Sequence, residues 1–286
     1  MTDLSIVIVN FNAGDALGDT LRSLDSGLAE FAWEAVIVDN ASTDGSDRVA
    51  EQAGPRVRLI RQDRNVGFAR GVNAGLAATT APFVLVQNPD CALRPGAVGV
   101  LKRALDAHRD TAVAGPRILN PDGTIQESAR GDPNLLTGLF GRTTVLSRLA
   151  PNLGAVRRNL AARRAIEDGV DSALVDWISG ACMLARREAL NAVGGFDERY
   201  FLYWEDADLC RRLRSAGWTA RYVPGAVVVH RVGGSSQSVR RLAIRAFHQS
   251  AYRYYVTHVV PQPWHPGRLV AWAILSTRSA FKQWLA

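Results

Sequence analysis

The chain has 286 residues, 47% hydrophobic and 21% charged, which suits one sizeable α/β domain with a tail and excludes a disordered protein. Its net charge of +7 sits in one place: Gln237 to Ala286 carries Arg240, Arg241, Arg245, Arg253, Arg268, Arg278 and Lys282 with no Asp or Glu, while acids and bases balance elsewhere. A charge confined to a tail predicts a local anionic surface as partner, and no nucleic acid. Cys91, Cys182 and Cys210 follow no metal-ligand spacing and fit reduced thiols in the cytosol.

The N-terminus runs directly into an apolar, β-branched strand, Leu4 to Val9, with no secretory signal before it. A helical pattern follows through Leu17, Leu21, Leu24 and Leu28. Strand Ala35 to Val38 ends in Asp39-Asn40, and Ser42-Thr43-Asp44-Gly45 reads as a turn and helix start. Strand Val57 to Ile60, helix Phe68 to Ala78 and strand Phe83 to Val86 lead to Asn88-Pro89-Asp90, then helix Pro95 to Ala107 and strand Ala112 to Ala114. Repeated βα units predict an open, mostly parallel sheet flanked by helices, with ligands at the carboxyl ends of its strands, where Asn10, Asp39, Asn65 and Asp90 fall.

Beyond Pro116 the periodicity weakens. Asn120-Pro121-Asp122-Gly123 marks a hairpin turn, and Gly131 to Asp171 reads as a mobile excursion over the site. Order returns with Val175 to Ala185, helix Arg186 to Ala192 and the Gly194-Gly195 cap. Two strands, Ala220 to Val223 and Ala226 to Val229, lead to His230, and a helical tail follows Gly233-Gly234-Ser235-Ser236. The apolar run Leu269 to Leu275 lies between Arg268 and Arg278, nine residues apart in all, whereas a bilayer needs about 20; no membrane span is expected.

No Gly-x-Gly-x-x-Gly follows the first strand, where Asn10-Phe11-Asn12-Ala13-Gly14 stands, and no Walker sequence occurs. Gly67, Gly71 and Gly75 read as one smooth helix face. The sequence therefore argues against NAD and ATP chemistry. The strand ends offer acids and amides instead. Asp39 could accept the imide N–H of uracil or thymine, Asn10 and Asn12 could contact base or ribose, and Arg64 with Asn65 could reach base, ribose or phosphate. Each such residue is also an ordinary turn former; four on one sheet edge favour a site.

The acceptor side is carried by residues 196 to 210, Phe-Asp-Glu-Arg-Tyr-Phe-Leu-Tyr-Trp-Glu-Asp-Ala-Asp-Leu-Cys. Three carboxylates behind an aromatic block suit a general base beside a sugar, although acids also favour any first helical turn. With Gly194-Gly195 before it, this stretch resembles the active-site segment of family 2 glycosyltransferases, inverting enzymes of the GT-A fold. The resemblance spans roughly residues 3 to 260. It implies Asp206 as catalytic base. Trp177, Gly180, Tyr203, Trp204, Glu205 and Asp208 then bind the acceptor, Glu205 and Asp208 gripping hydroxyls or orienting Asp206. It puts Gly67 and Asn88 beside Asn10, Asn12, Asp39, Arg64 and Asn65 in the nucleotide-binding set. Asn88-Pro89-Asp90 stands at the family's Asp-x-Asp position with its first carboxylate replaced, leaving Asp90, completed by His230, to hold Mg2+ or Mn2+.

Ala251-Tyr252-Arg253-Tyr254-Tyr255 resembles the end segment of bacterial rhamnosyltransferase-like members, many of which act on polyprenyl-diphosphate-linked glycans. The expectation is a GT-A catalytic domain over residues 1–236, with a nucleotide-sugar half (1–115), an acceptor half (116–236) and a basic amphipathic tail (237–286). dTDP-L-rhamnose is the leading donor, with a UDP-sugar as the alternative. The acceptor is a glycan or polyprenyl-diphosphate-linked sugar of the cell envelope. Trp264, Trp272 and Trp284 among the tail cations suit a helix in an anionic membrane interface, placing the protein in the cytoplasm at the inner face of the cell membrane. A helix packed on the catalytic domain or on a second subunit is the competing reading of that tail. A nucleotidyltransferase and a catalytically silent glycan- or nucleotide-binding module also remain open.

Overall fold

Strand β1 (Leu4–Asn10) is buried along its whole length. Its side chains alternate, Leu4, Ile6 and Ile8 entering one core and Val7 and Val9 the other. The computed structural model describes residues 2–132, 165–231 and 240–286. Around β1 the chain lays down α1 (Ala16–Gly27), β2 (Trp33–Asp39), α2 (Ser46–Glu51), β3 (Val57–Arg61), α3 (Phe68–Ala77) and β4 (Phe83–Gln87). Short β5 (Cys91–Leu93), α4 (Ala97–Ala107) and β6 (Thr111–Leu119) follow. The hairpin signal at 120–123 joins β6 to antiparallel β7 (Ile125–Gln126).

After β8 (Ala129–Arg130) the described chain resumes toward β9 (Ala173–Val175), β10 (Trp177–Ile178), β11 (Cys182–Arg186) and α5 (Arg187–Ala192). Next come α6 (Glu205–Ser215), β12 (Thr219–His230), α7 (Arg240–Tyr254), a π-helical turn (Tyr255–Val259) and α8 (Gly267–Trp284). Most of the expected excursion at 131–171, and the Gly/Ser loop at 233–236, lie outside the described residues.

The main sheet runs β3-β2-β1-β4-β11-β6-β12-β5, with β7 on β6 and β9 on β12, and β8 pairs with β10 in a separate ribbon. The first half is parallel as the βα pattern requires, but β11 runs antiparallel between β4 and β6. One sheet thus passes through both expected halves. Two sequence readings change here. The strand read as Ala112 to Ala114 continues to Leu119, and the two strands read around Pro224-Gly225 form one strand from Thr219 to His230. The Pro-Gly pair is absorbed as a register shift between Val223 and Val227, a bulge that lets the strand reach His230.

One core lies between the sheet and α1 with α4, through Leu17, Leu24, Leu101 and Leu105; burying each leucine is worth about 1.5–3 kcal/mol. The other lies under α3, α5 and α6. A Cβ on Gly71 would stand 2.8 Å from Val9 Cγ1, and one on Gly75 would strike Val7, so these glycines do form a close-packing face. Gly67 does not belong to that face. It caps α3 with φ +87° and underlies Phe201, a place only glycine fits.

The tail divides its two competing readings. α7 packs on the catalytic body, with the rings of Tyr254 and Trp204 5.3 Å apart. α8 buries Ala271, Leu275 and Ser279 at four-residue spacing against α7 and leaves Leu269, Trp272, Phe281 and Trp284 exposed. Among the described residues no helix is long and apolar enough to cross a membrane.

Candidate active site

Asn10 and Asp39 close adjacent strands and face each other in register. Asn10 Nδ2 donates to Asp39 Oδ1 at 2.7 Å and to Ser46 Oγ at 2.8 Å, while Asp39 Oδ2 accepts the Ser42 amide at 3.0 Å. Asn10 has no exposed surface. The direct contact with base or ribose expected of it is therefore replaced by an indirect role, aiming the Asp39 carboxylate. Asn12, in the left-handed region at φ +50°, accepts the Thr43 N–H through Oδ1 at 2.8 Å and so ties the two loops together. Asn65 Oδ1 accepts the Gly67 amide at 2.9 Å, and Arg64 is exposed beside it.

Asp90 ends the β4–β5 turn and His230 ends β12, brought together by β5–β12 pairing, in which His230 stands opposite Cys91. His230 Nε2 lies 3.1 Å from Asp90 Oδ1 and 3.4 Å from Asn88 Nδ2. On the other side of the ring, Gln126 Oε1 is 2.9 Å from His230 Nδ1. The Gln126 amide nitrogen donates to the His230 carbonyl at 2.8 Å and to Asn120 Oδ1 at 2.7 Å. Its orientation is thereby fixed, and Nδ1 must carry the proton.

In that tautomer the other ring nitrogen, Nε2, would present a lone pair beside the Asp90 oxygen, a pairing that a cation between them would satisfy. Two cis ligands each about 2.1 Å from an octahedral Mg2+ or Mn2+ would stand about 3.0 Å apart, close to the separation here. No cluster of three His, Cys, Asp or Glu occurs among the described residues, so diphosphate and water oxygens would complete the shell. A cavity of about 250 Å3 lined by Asp19, Thr20, Asp90, Arg94 and Arg231 opens beside this pair. Gln126 escaped sequence reasoning because a lone glutamine after a turn carries no signal of its own.

Asp206 sits in the first turn of α6. Its Oδ2 accepts the Gly180 amide at 3.0 Å and its Oδ1 the Ala207 amide at 2.8 Å. The preceding residues Tyr203 and Trp204 both have positive φ, +66° and +71°, strain of the kind that clusters at functional sites. Glu205 is buried, and burial followed by the nearby Asp206 charge pushes its carboxyl well above the usual range. The pair's negative charge accordingly rests on Asp206. Trp177 is half-buried and donates its indole N–H to the Gly131 carbonyl at 3.1 Å, packing against the cluster of Tyr200, Ala207 and Tyr254.

Asp208 departs from its expected part. It is fully buried, with Oδ2 2.7 Å from Arg212 Nε and Oδ1 2.7 Å from His258 Nε2. Arg212 also donates to the carbonyls of Val193 and Gly195 at 2.8 and 2.9 Å. These pairs clamp α6 to the Gly194-Gly195 turn and to the π-helical turn, and, unlike Asp206, Asp208 has no exposed surface to offer an acceptor hydroxyl.

A short relay joins the two halves. Asp206 holds the Gly180 amide, the next carbonyl, Ala181 O, accepts the Asn88 amide at 2.9 Å, and Asn88 reaches His230. Phe68, next to Gly67, is likewise tied to the loop before α6, its amide donating to Phe201 O at 2.8 Å.

An open sheet with acids and amides at its strand ends and a carboxylate opening a neighbouring helix has the layout of the GT-A fold. A mannosyltransferase of Pyrobaculum calidifontis solved with GDP-mannose and Mn2+ superposes with a TM-score of 0.59 at 16% identity, over 97% of this chain and 69% of that one. GalNAc-T7 solved with UDP, GalNAc and Mn2+ gives 0.62 at 16% identity, over 93% and 52%. The model of glycosyl transferase family 2 matches residues 5–194, and that of glycosyl transferase family group 2 matches residues 152–285. The N-acetylglucosaminyl-diphospho-decaprenol L-rhamnosyltransferase of Mycobacterium tuberculosis is 37% identical over 88% of this chain and 84% of its own length. Rhamnosyltransferase WbbL of Escherichia coli is 41% identical over 28% of this chain and 31% of its own. The chain belongs to the family 2 glycosyltransferases and has the GT-A fold.

Proposed function

We propose that the protein is an inverting rhamnosyltransferase that moves L-rhamnose from dTDP-L-rhamnose to a hydroxyl of a polyprenyl-diphosphate-linked sugar, with Mg2+ or Mn2+, at the inner face of the cell membrane. The observation that carries this reading is the relay from Asp206 through Gly180, Ala181 and Asn88 to His230 and Asp90. It supports the reading because it would link a proton acceptor to a pair of cation ligands, as a single displacement between acceptor hydroxyl and leaving diphosphate requires. The mycobacterial relative's name supplies the sugar and the acceptor class.

In this reading residues 1–115 bind the donor, with Asp39, aimed by Asn10, accepting the pyrimidine imide N–H. Asn12, Arg64, Asn65, Gly67 and Asn88 line the ribose and diphosphate. Asp90 and His230 would hold the cation, whose charge offsets that developing on the leaving diphosphate. Residues 116–236 bind the acceptor. Trp177, Tyr203 and Trp204 offer ring faces to its sugar, and Gly180 fixes the Asp206 carboxylate. A carboxylate has about four lone-pair sites; two are taken by the Gly180 and Ala207 amides, and another takes the hydroxyl proton as the new bond forms. Of the tail (237–286), α8 meets the anionic membrane, with α7 packed on the catalytic body. Transfer from dTDP-L-rhamnose to N-acetylglucosaminyl-diphosphate lipids tests the proposal. Turnover with UDP-sugars in its place would discard rhamnose while keeping the fold and the base.

A further inference from the structure

Between α7 and α8 lies a groove of about 800 Å3, within the size range of ligand sites. Its lining includes Arg199, Arg245 and Arg253 together with the apolar Phe201, Val256 and Trp272. The segment that builds both helices has no Asp or Glu. Among the described residues Arg199 pairs with Asp197 at 2.6 Å, and no carboxylate is bonded to Arg245 or Arg253. His248 also lines the groove, and burial, with the fields of Lys282 and Arg278, holds its imidazole below its ordinary value. The guanidinium groups of Arg245 and Arg253, with no bonded carboxylate, favour an anion between them, and their planar forks match phosphate oxygens.

The groove is part of the acceptor loop. Arg199 and Phe201 precede Asp206 on the same short segment, Ser250 Oγ of α7 donates to Leu202 O at 3.0 Å, and the Tyr203 ring meets Phe247 edge-on at 5.8 Å. At its outer end Trp272 is 56% exposed, and Leu269, Phe281 and Trp284 extend an apolar surface along α8. A ligand that fits has a doubly charged head near Asp206 and a long apolar chain leaving toward lipid. We propose that this groove binds the diphosphate and first isoprene units of a polyprenyl-diphosphate-linked acceptor, so that Arg245 and Arg253 set the requirement for a lipid diphosphate. This rests on the acceptor class proposed above.

The test is binding of geranylgeranyl diphosphate in detergent micelles to the full chain, read by calorimetry and by Trp272 fluorescence. Arg245→Gln with Arg253→Gln should weaken it tenfold or more. Arg240→Gln with Arg241→Gln, which removes equal charge from the exposed start of α7, should change it less than twofold. Phosphatidylglycerol vesicles should not displace the ligand, and geranylgeraniol should bind far more weakly. Equal loss in both double variants, or displacement by the vesicles, would mean a general anionic-lipid patch and overturn the proposal. Unfolding midpoints check that the variants are folded. A chain that binds dTDP-rhamnose but not geranylgeranyl diphosphate refutes the groove alone. Arginine-dependent binding of the prenyl diphosphate without any nucleotide-sugar binding keeps the groove and refutes the donor reading.

Discussion

Replacing Gln126 by methionine keeps the side chain's length and removes the hydrogen bonds by which Gln126 orients His230. Three are lost: the acceptor for Nδ1–H at 2.9 Å and the donors to His230 O at 2.8 Å and Asn120 Oδ1 at 2.7 Å. The imidazole is then free to carry its proton on Nε2, where Asp90 Oδ1 at 3.1 Å would accept it and close the gap a cation needs. Outer partners of ligating histidines are worth about 10–100-fold in metal affinity, or about 1.4–2.7 kcal/mol. Mn2+ affinity measured by electron paramagnetic resonance in the presence of dTDP should therefore fall 10–100-fold. Gln126→Met with affinity within twofold of the parent, and an unchanged unfolding midpoint, would refute the tautomer argument.

Asp206→Asn should keep nucleotide-sugar affinity within about threefold and reduce transfer by about 10²–10⁴; single-turnover rates near those of the parent would remove it as base. Asp208→Asn should lower stability by about 3–5 kcal/mol, because it removes a fully buried charge and leaves the half-buried Arg212 and His258 without it; a denaturant midpoint within experimental error of the parent contradicts the clamp. Glu205→Gln should stabilise the fold near pH 7. An unfolded Glu loses its proton near 4.5, whereas folded Glu205 keeps it to higher pH. Between those values the folded state binds more protons, so parent stability falls as pH rises. The variant's advantage should accordingly grow from acid toward neutral pH, and a pH-independent difference would count against a raised Glu205.

The donor half was legible because its signals are local. Alternating burial along Leu4 to Asn10, and acids closing successive strands, need only neighbouring residues to be read. The acceptor half depends on partners far apart in sequence. Asp208 looks like any other first-turn acid until Arg212 and His258 are seen on its two oxygens. Asn10 looks like a ligand until the sheet buries it. Pro224-Gly225 argued for a break that the neighbouring β6 holds together as a bulge. The tail's aromatics were ambiguous for a physical reason: Tyr254 and Trp272 are alike in composition, yet one faces Trp204 and the other the outside.

The most direct test of the account is calorimetric titration of the protein with dTDP-L-rhamnose, UDP-glucose and GDP-mannose, each with Mg2+, with Mn2+ and with EDTA. The account requires cation-dependent binding with dTDP-L-rhamnose strongest, and loss of that dependence in Asp90→Ala. Equal affinity in EDTA, or preference for the guanine nucleotide, would contradict both the Asp90–His230 cation site and the reading of the base by Asp39.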